Sequence, residues 1–240
     1  MGTQGHAKDI VVLSGKRTPF GTFGGSLKSF SATDLAVFSS IAAIESAGAD
    51  PSEIDHSFFG NALQTSSDAI YLARHVALRS GVPQESPALT VNRLCGSGFE
   101  AIVQGAKEIL LGGAQLTLCG GSESMSQAPH VVRGARWGQL RLGPAGERFE
   151  DLLWEALRDS NCDVTMAQTA EELAGRYDVT REEADQVAFR SQQRAKAAWD
   201  GGYFEAEIAP IMTETRRGEQ QFAHDEHLRP DTTLEALSGL

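Results

Sequence analysis

The stretch VNRLCGSGFE, residues 91–100, decides the reading of this chain. It follows PALTVN, an apolar run that reads as a buried strand, and it opens into a helical pattern. Cys95 therefore stands at a strand-to-helix corner, with Gly96 and Gly98 beside it. A helix starting at Gly96 leaves its first backbone N–H groups without intrahelical partners, pointing toward the preceding strand end. Those donors and the positive end of the helix dipole favour negative charge at the corner, and hence the nucleophilic thiolate form of the sulfur. Glycine at 96 and 98 lets a ligand approach the backbone without meeting a β-carbon. On the residues alone, a small buried cysteine at a tight turn is the competing reading.

Working outward, strand and helix signals alternate. DIVVLSG (9–15) reads as a buried strand, HSFFGNAL as a second, PALTVN as a third and AQLTLCGG as a fourth. Between them, Leu35, Phe38, Ile41, Ala42 and Ile44 fall near helical spacing up to Gly48, and 67–81 reads as a helix capped by Ser67 or Asp68. After Cys95, the residues Phe99, Ile102, Val103, Ala106, Ile109 and Leu110 form one helical stripe, closed by Gly112 and Gly113. Apolar strands separated by helices imply an α/β fold: a mostly parallel sheet covered by helices.

The texture changes after about Ser126. A Gly- and Arg-rich stretch of little periodicity is followed by two helices, with S/T-x-x-E capping boxes at Thr169–Glu172 and Thr180–Glu183. EIAPIM reads as a strand, and DEHLRPDTTLEAL as polar with a late helical turn. These signals divide the chain into an α/β domain at 1–126 and a smaller helical loop subdomain at 127–240.

The 240 residues carry 41% hydrophobic and 22% charged side chains, within the range of ordinary globular proteins. A net charge of -11 argues against nucleic acid as a partner. The three cysteines, Cys95, Cys119 and Cys162, are too few for a disulfide scaffold and lack zinc spacing. Reduced thiols, an N-terminus without an apolar signal core and no membrane-length apolar run together give the expectation of a cytoplasmic protein. HDEH (224–227) has the residue types for a metal, but no metal site is expected there.

TVNRLCGSGFEAI closely resembles the nucleophile segment of the thiolase family. The resemblance continues through KRTPFGTFGGSLK, SSDAIYLARHVALRSGVP, LCGGSESMSQAP, MAQTAEELA, SQQRAKAAWDGGYF and DEHLRPDTTLEAL, in family order along almost the whole chain. It is strongest toward the degradative 3-ketoacyl-CoA thiolases. It implies that Cys95 attacks the keto carbonyl of a 3-ketoacyl-CoA, that acetyl-CoA leaves, and that a second coenzyme A accepts the acyl group from sulfur; the reverse is a Claisen condensation. Coenzyme A is then a co-substrate, and no cofactor is held permanently. The same resemblance implies that Arg229 and Thr232 contact the nucleotide end of CoA and that Met166 lies near the acyl-pantetheine tunnel. Thr165 replaces the histidine that many biosynthetic members carry before that methionine. Of Arg133, Arg136, Arg141, Arg216, Arg217 and Arg229, ligand contact is expected for Arg229 alone. Cys119 is expected to be core packing at a strand end.

Thiolases also carry an N-E-A-F segment, a G-H-P histidine and a C-x-G-G-G cysteine in a C-terminal half, and none of the three occurs in these residues. The resemblance therefore implies an exposed apolar face for that half or a second polypeptide, and a homodimer or homotetramer. A non-catalytic assembly partner is the alternative.

Overall fold

The computed structural model describes residues 9–138, 149–215 and 218–240. In chain order the elements are helix α1 (Ala32–Ala47), strand β1 (His56–Gly60), α2 (Leu72–Arg79), β2 (Ala88–Val91), α3 (Ser97–Leu111), β3 (Thr117–Gly121), β4 (His130–Val131), β5 (Glu150–Asp151), α4 (Leu152–Ala156), β6 (Arg158–Asp159), β7 (Val164–Thr165), α5 (Met166–Arg176), α6 (Arg181–Asp200), β8 (Ile211–Thr215), β9 (Gly218–Phe222) and α7 (Leu234–Ser238). Residue contacts divide them into two compact units: residues 1–127 with 206–224, and residues 128–205 with 225–240.

The first unit is built on a parallel sheet of order β2-β1-β3. β1 lies in the centre, with Phe58 opposite Leu89 on one side and Cys119 on the other. Side chains alternate across a strand, so Phe59 and its neighbours Ala88 and Leu118 share the face that carries α1 and α2. There Ala32, Ala36 and Val37 of α1 and Leu72, Ala73 and Val76 of α2 close over Phe59. Gly120 lies against the Phe59 ring, where an added β-carbon would come within 2.7 Å of it. α1 begins with a capping box between Ser31 and Asp34 and ends at Gly48, whose φ of 61° is the left-handed conformation glycine adopts freely. The β8–β9 hairpin packs Ile211 and Phe222 against Leu27 and Leu35.

α3 covers the opposite face, and the side it turns to the sheet is not its apolar stripe. Its buried residues are Ser97, Ala101 and Gly105. Small side chains four apart let the helix approach the sheet closely: a β-carbon on Gly105 would strike Cys119 Sγ and lie 2.8 Å from Thr117 Oγ1. The predicted apolar stripe instead leaves Phe99 79%, Ile102 52% and Leu110 55% exposed. Helical spacing identifies the stripe but not which side of the helix meets the sheet; close packing selects the side without bulk.

Three expectations are corrected. Residues 9–15 form no strand, and Val12 is 83% exposed; no strand among the described residues takes up their backbone hydrogen bonds, and only Arg17 bridges Ile208. The helix expected over 67–81 is shorter, because Ala69–Tyr71 form a 3-10 turn and the Asp68 carboxylate accepts from Ser66 rather than capping. EIAPIM contributes only its end, since β8 starts at Ile211.

In the second unit, short antiparallel pairs β4–β5 and β6–β7 accompany α4 to α7. The box at Thr180–Glu183 caps α6 as the sequence suggests. The other box is shifted: Thr165 and Gln168 cap α5, and Thr169 lies inside that helix. α5 and α6 contain no buried residue. No helix among the described residues is long and apolar enough to cross a membrane.

Candidate active site

The turn joining β2 to α3 is closed by a dense set of hydrogen bonds. Gly96 N–H donates to Arg93 C=O at 3.0 Å, and Ser97 N–H to Leu94 C=O at 3.0 Å. Ser97 Oγ donates to the same carbonyl at 2.6 Å and accepts from Arg93 N–H at 2.9 Å. Asn92 Oδ1 accepts from Leu94 N–H at 2.9 Å. These bonds hold Leu94 at φ 48°, a left-handed conformation that costs a residue with a β-carbon about 1–2 kcal/mol. Cys95 follows that strained residue and is exposed, so the buried-cysteine alternative does not hold.

α3 itself starts at Ser97, with Gly96 as N-cap. The N–H groups of Gly98 and Phe99 have no hydrogen-bond partner among the described residues, the condition expected of a helix's first turn. A β-carbon on Gly98 would point into empty space, so approach from that side is open. At Gly96 it would press on Arg93 C=O at 3.3 Å, which gives that glycine a packing role as well.

The other strands end at the same edge, because the sheet is parallel. After β1, Asn61 is buried and its N–H donates to Val91 C=O. After β3, the Glu123 carboxylate accepts from Ala62 N–H at 3.0 Å and Leu63 N–H at 3.2 Å, and from the Asn61 side-chain amide. Burial pushes the Glu123 carboxyl above the usual carboxylate range, against the opposing pull of the Leu63 and Ala62 N–H groups. Asn92 Nδ2 donates to Ala62 C=O at 3.0 Å. Sequence reasoning passed over Asn61, Asn92 and Glu123. Their signal was positional: polar residues just past the carboxyl ends of parallel strands, where open α/β sheets place their ligands.

Cys119 is pressed between β3 and α3. Burial pushes its thiol up from the ordinary value, and it contacts Thr117 Oγ1 at 3.6 Å, as expected for core packing.

The remaining predicted site residues belong to the second unit. Met166 is the first residue of α5, half exposed, and its N–H donates to Leu157 C=O. Arg229 and Thr232 come together in one turn, where Thr232 Oγ1 donates to Arg229 C=O at 2.7 Å and Gln192 accepts from Arg229 N–H. The Arg229 guanidinium is exposed and makes no ion pair among the described residues. Arg133 is ion-paired with Glu150 at 2.8 Å. Arg141, Arg216 and Arg217 lie outside the described residues. No group of His, Cys, Asp and Glu suited to a metal ion occurs among the described residues.

The family model described as the thiolase N-terminal domain matches residues 10–240. A Homo sapiens protein named mitochondrial 3-ketoacyl-CoA thiolase is 53% identical over 233 residues, covering 97% of this chain and 58% of that protein. The Cupriavidus necator beta-ketothiolase BktB is 42% identical over the same shares. The crystal structure of the human mitochondrial enzyme in complex with CoA superposes with a TM-score of 0.90 at 52% identity, covering 95% of this chain and 56% of the other. The chain thus spans a little under three fifths of the relatives it matches. The expected cytoplasmic location is overturned, because relatives at 49–53% identity, from Homo sapiens, Pongo abelii, Bos taurus, Mus musculus and Rattus norvegicus, are named mitochondrial. A parallel sheet with this nucleophile turn, matched along nearly its whole length, places the chain in the thiolase family, in the part that family calls its N-terminal domain.

Proposed function

We propose that this chain supplies the nucleophile for acyl transfer between a 3-ketoacyl-CoA and coenzyme A. Cys95 Sγ bonds to the keto carbonyl carbon, the adjacent carbon–carbon bond breaks, and acetyl-CoA leaves after its carbanion takes a proton. The acyl thioester on Cys95 then passes to the thiol of a second CoA, which restores the free cysteine. The observation that carries this reading is an exposed Cys95 on a rigid turn, beside open helix-start N–H groups placed to favour developing negative charge. The domain roles follow: residues 1–126 carry the nucleophile, and residues 127–240 supply CoA contacts through Arg229, Thr232 and Met166 and take part in oligomer contacts, in a homodimer or homotetramer.

The family's activating histidine and second cysteine must come from a C-terminal half, in the same molecule or in another polypeptide. The exposed stripe of α3, from Phe99 to Leu110, is the face proposed to receive it. That same stripe favours the second reading, in which the chain is an assembly partner without chemistry of its own.

Acylation separates the two. Residues 1–240 mixed with a 3-ketoacyl-CoA should gain one acyl mass on Cys95, with the gain lost in Cys95→Ser and no sustained thiolysis. Absence of any Cys95 adduct even with a C-terminal half supplied removes the catalytic reading; steady turnover by the chain alone removes the need for a second half.

A further inference from the structure

We propose that Asn92 is a positioning residue for Cys95, tying the nucleophile turn to the loops that follow β1 and β3. The inference rests on the reading of Cys95 as the acylated sulfur.

Asn92 is three residues before Cys95, and its side chain uses both ends. Oδ1 accepts from Leu94 N–H at 2.9 Å, the amide next to Cys95. Nδ2 donates to Ala62 C=O at 3.0 Å, across to another loop. Ala62 is itself fixed: its N–H is held by Glu123, which also takes Leu63 N–H and the Asn61 amide. Asn61 is in turn secured by its N–H on Val91 C=O and by Nδ2 on Ser122 C=O at 3.0 Å. The path from Glu123 through Ala62 and Asn92 to Leu94 therefore links the ends of β3, β1 and β2 and terminates one residue from the sulfur.

This path has work to do, because Leu94 sits at φ 48°. A leucine in that conformation relaxes toward negative φ unless hydrogen bonds over-determine it, and strain of this kind gathers at functional turns. Ser97 Oγ holds the Leu94 carbonyl from the helix side; among the described residues, Asn92 is the one side chain holding the Leu94 amide. Relaxation at Leu94 would rotate the peptide that carries Cys95 and displace Sγ.

The test compares Asn92→Ala with Asn92→Asp, which keeps an acceptor for Leu94 N–H, in a Cys162→Ala background. Hydrogen exchange of the Leu94 amide and acylation of Cys95 by a 3-ketoacyl-CoA are read together, with alkylation of half-buried Cys119 as the report of unfolding. In Asn92→Ala, Leu94 exchange should quicken and acylation fall by about ten-fold or more, while Cys119 stays protected. Asn92→Asp should recover part of the Leu94 protection and part of the acylation, because the acceptor for Leu94 N–H remains while Ala62 C=O loses its donor. Unchanged acylation in Asn92→Ala, loss of Cys119 protection together with acylation, or failure of Asn92→Asp to recover either readout overturns the proposal. If the parent chain is never acylated, with or without a C-terminal half supplied, the functional reading fails instead, and Leu94 exchange alone decides: equal exchange in parent and Asn92→Ala overturns the positioning role.

Discussion

A β-carbon added to Gly60 would meet the carbonyl carbon of Ser97 at 2.5 Å, so the end of β1 and the start of α3 touch backbone to backbone. The neighbour cannot rotate away, unlike a side chain. Gly60→Ala should therefore lower stability by about 1–3 kcal/mol, the usual cost of overpacking, seen as an earlier denaturation midpoint. Because Ser97 holds the Cys95 turn, acylation of Cys95 should fall as well. A midpoint equal to that of the parent would show that the helix start shifts freely.

Gly98 gives the opposite result. Nothing lies within 4 Å of the position its β-carbon would occupy, and alanine is the better helix residue. Gly98→Ala should keep or raise stability, by up to about 1 kcal/mol. It should also slow Cys95 acylation, because the new methyl stands in the open approach. Thermal melting and the acylation rate, measured on the same sample, separate a glycine kept for access from one kept for packing.

Cys119 supplies a pH dependence. Burial raises its folded-state thiol above the ordinary 9.0, so the folded chain holds the proton more tightly than the unfolded one. The stabilisation is complete below the unfolded value and is lost as pH rises through it toward the folded value. Stability should decline on the alkaline side of about pH 9, and Cys119→Ala should show a smaller decline. Chemical denaturation of both proteins between neutral pH and pH 10 checks this; parallel curves would mean the thiol contributes nothing.

The parallel order of strand and helix was legible because apolar runs and glycine stops are local signals. The Cys95 corner was legible for the same reason, since thiol, glycines and helix start are neighbours in sequence. What escaped depended on partners distant in the chain. Residues 9–15 have strand composition, yet a strand exists only beside another, and nothing local reports that no strand among the described residues takes up their hydrogen bonds. The apolar stripe of α3 was found, but its direction was set by Gly105 facing Cys119 and Gly60 facing Ser97, contacts that spacing cannot foretell. Asn92, Asn61 and Glu123 are ordinary polar residues in sequence and become a network only where three strand ends converge.

The stripe of α3 carries the last prediction. Ile102 is 52% and Val103 44% exposed, between Phe99 at 79% and Leu110 at 55%, while the buried face is Ser97, Ala101 and Gly105. A charge on the outer side therefore meets water and leaves the core untouched. Ile102→Glu should change folding stability by no more than about 0.5 kcal/mol, as exposed substitutions do, and should reduce both dye binding to apolar surface and self-association in light scattering. If a C-terminal half docks on this stripe, the same substitution should abolish turnover reconstituted with that half, because the carboxylate would be buried without a partner. Single-event acylation of Cys95 should survive, since the side-chain hydrogen bonds that hold its turn come from Asn92 and Ser97 and not from Ile102. Unfolding of Ile102→Glu would show that the stripe is already packed within this chain; full reconstitution by it would place the docking face elsewhere.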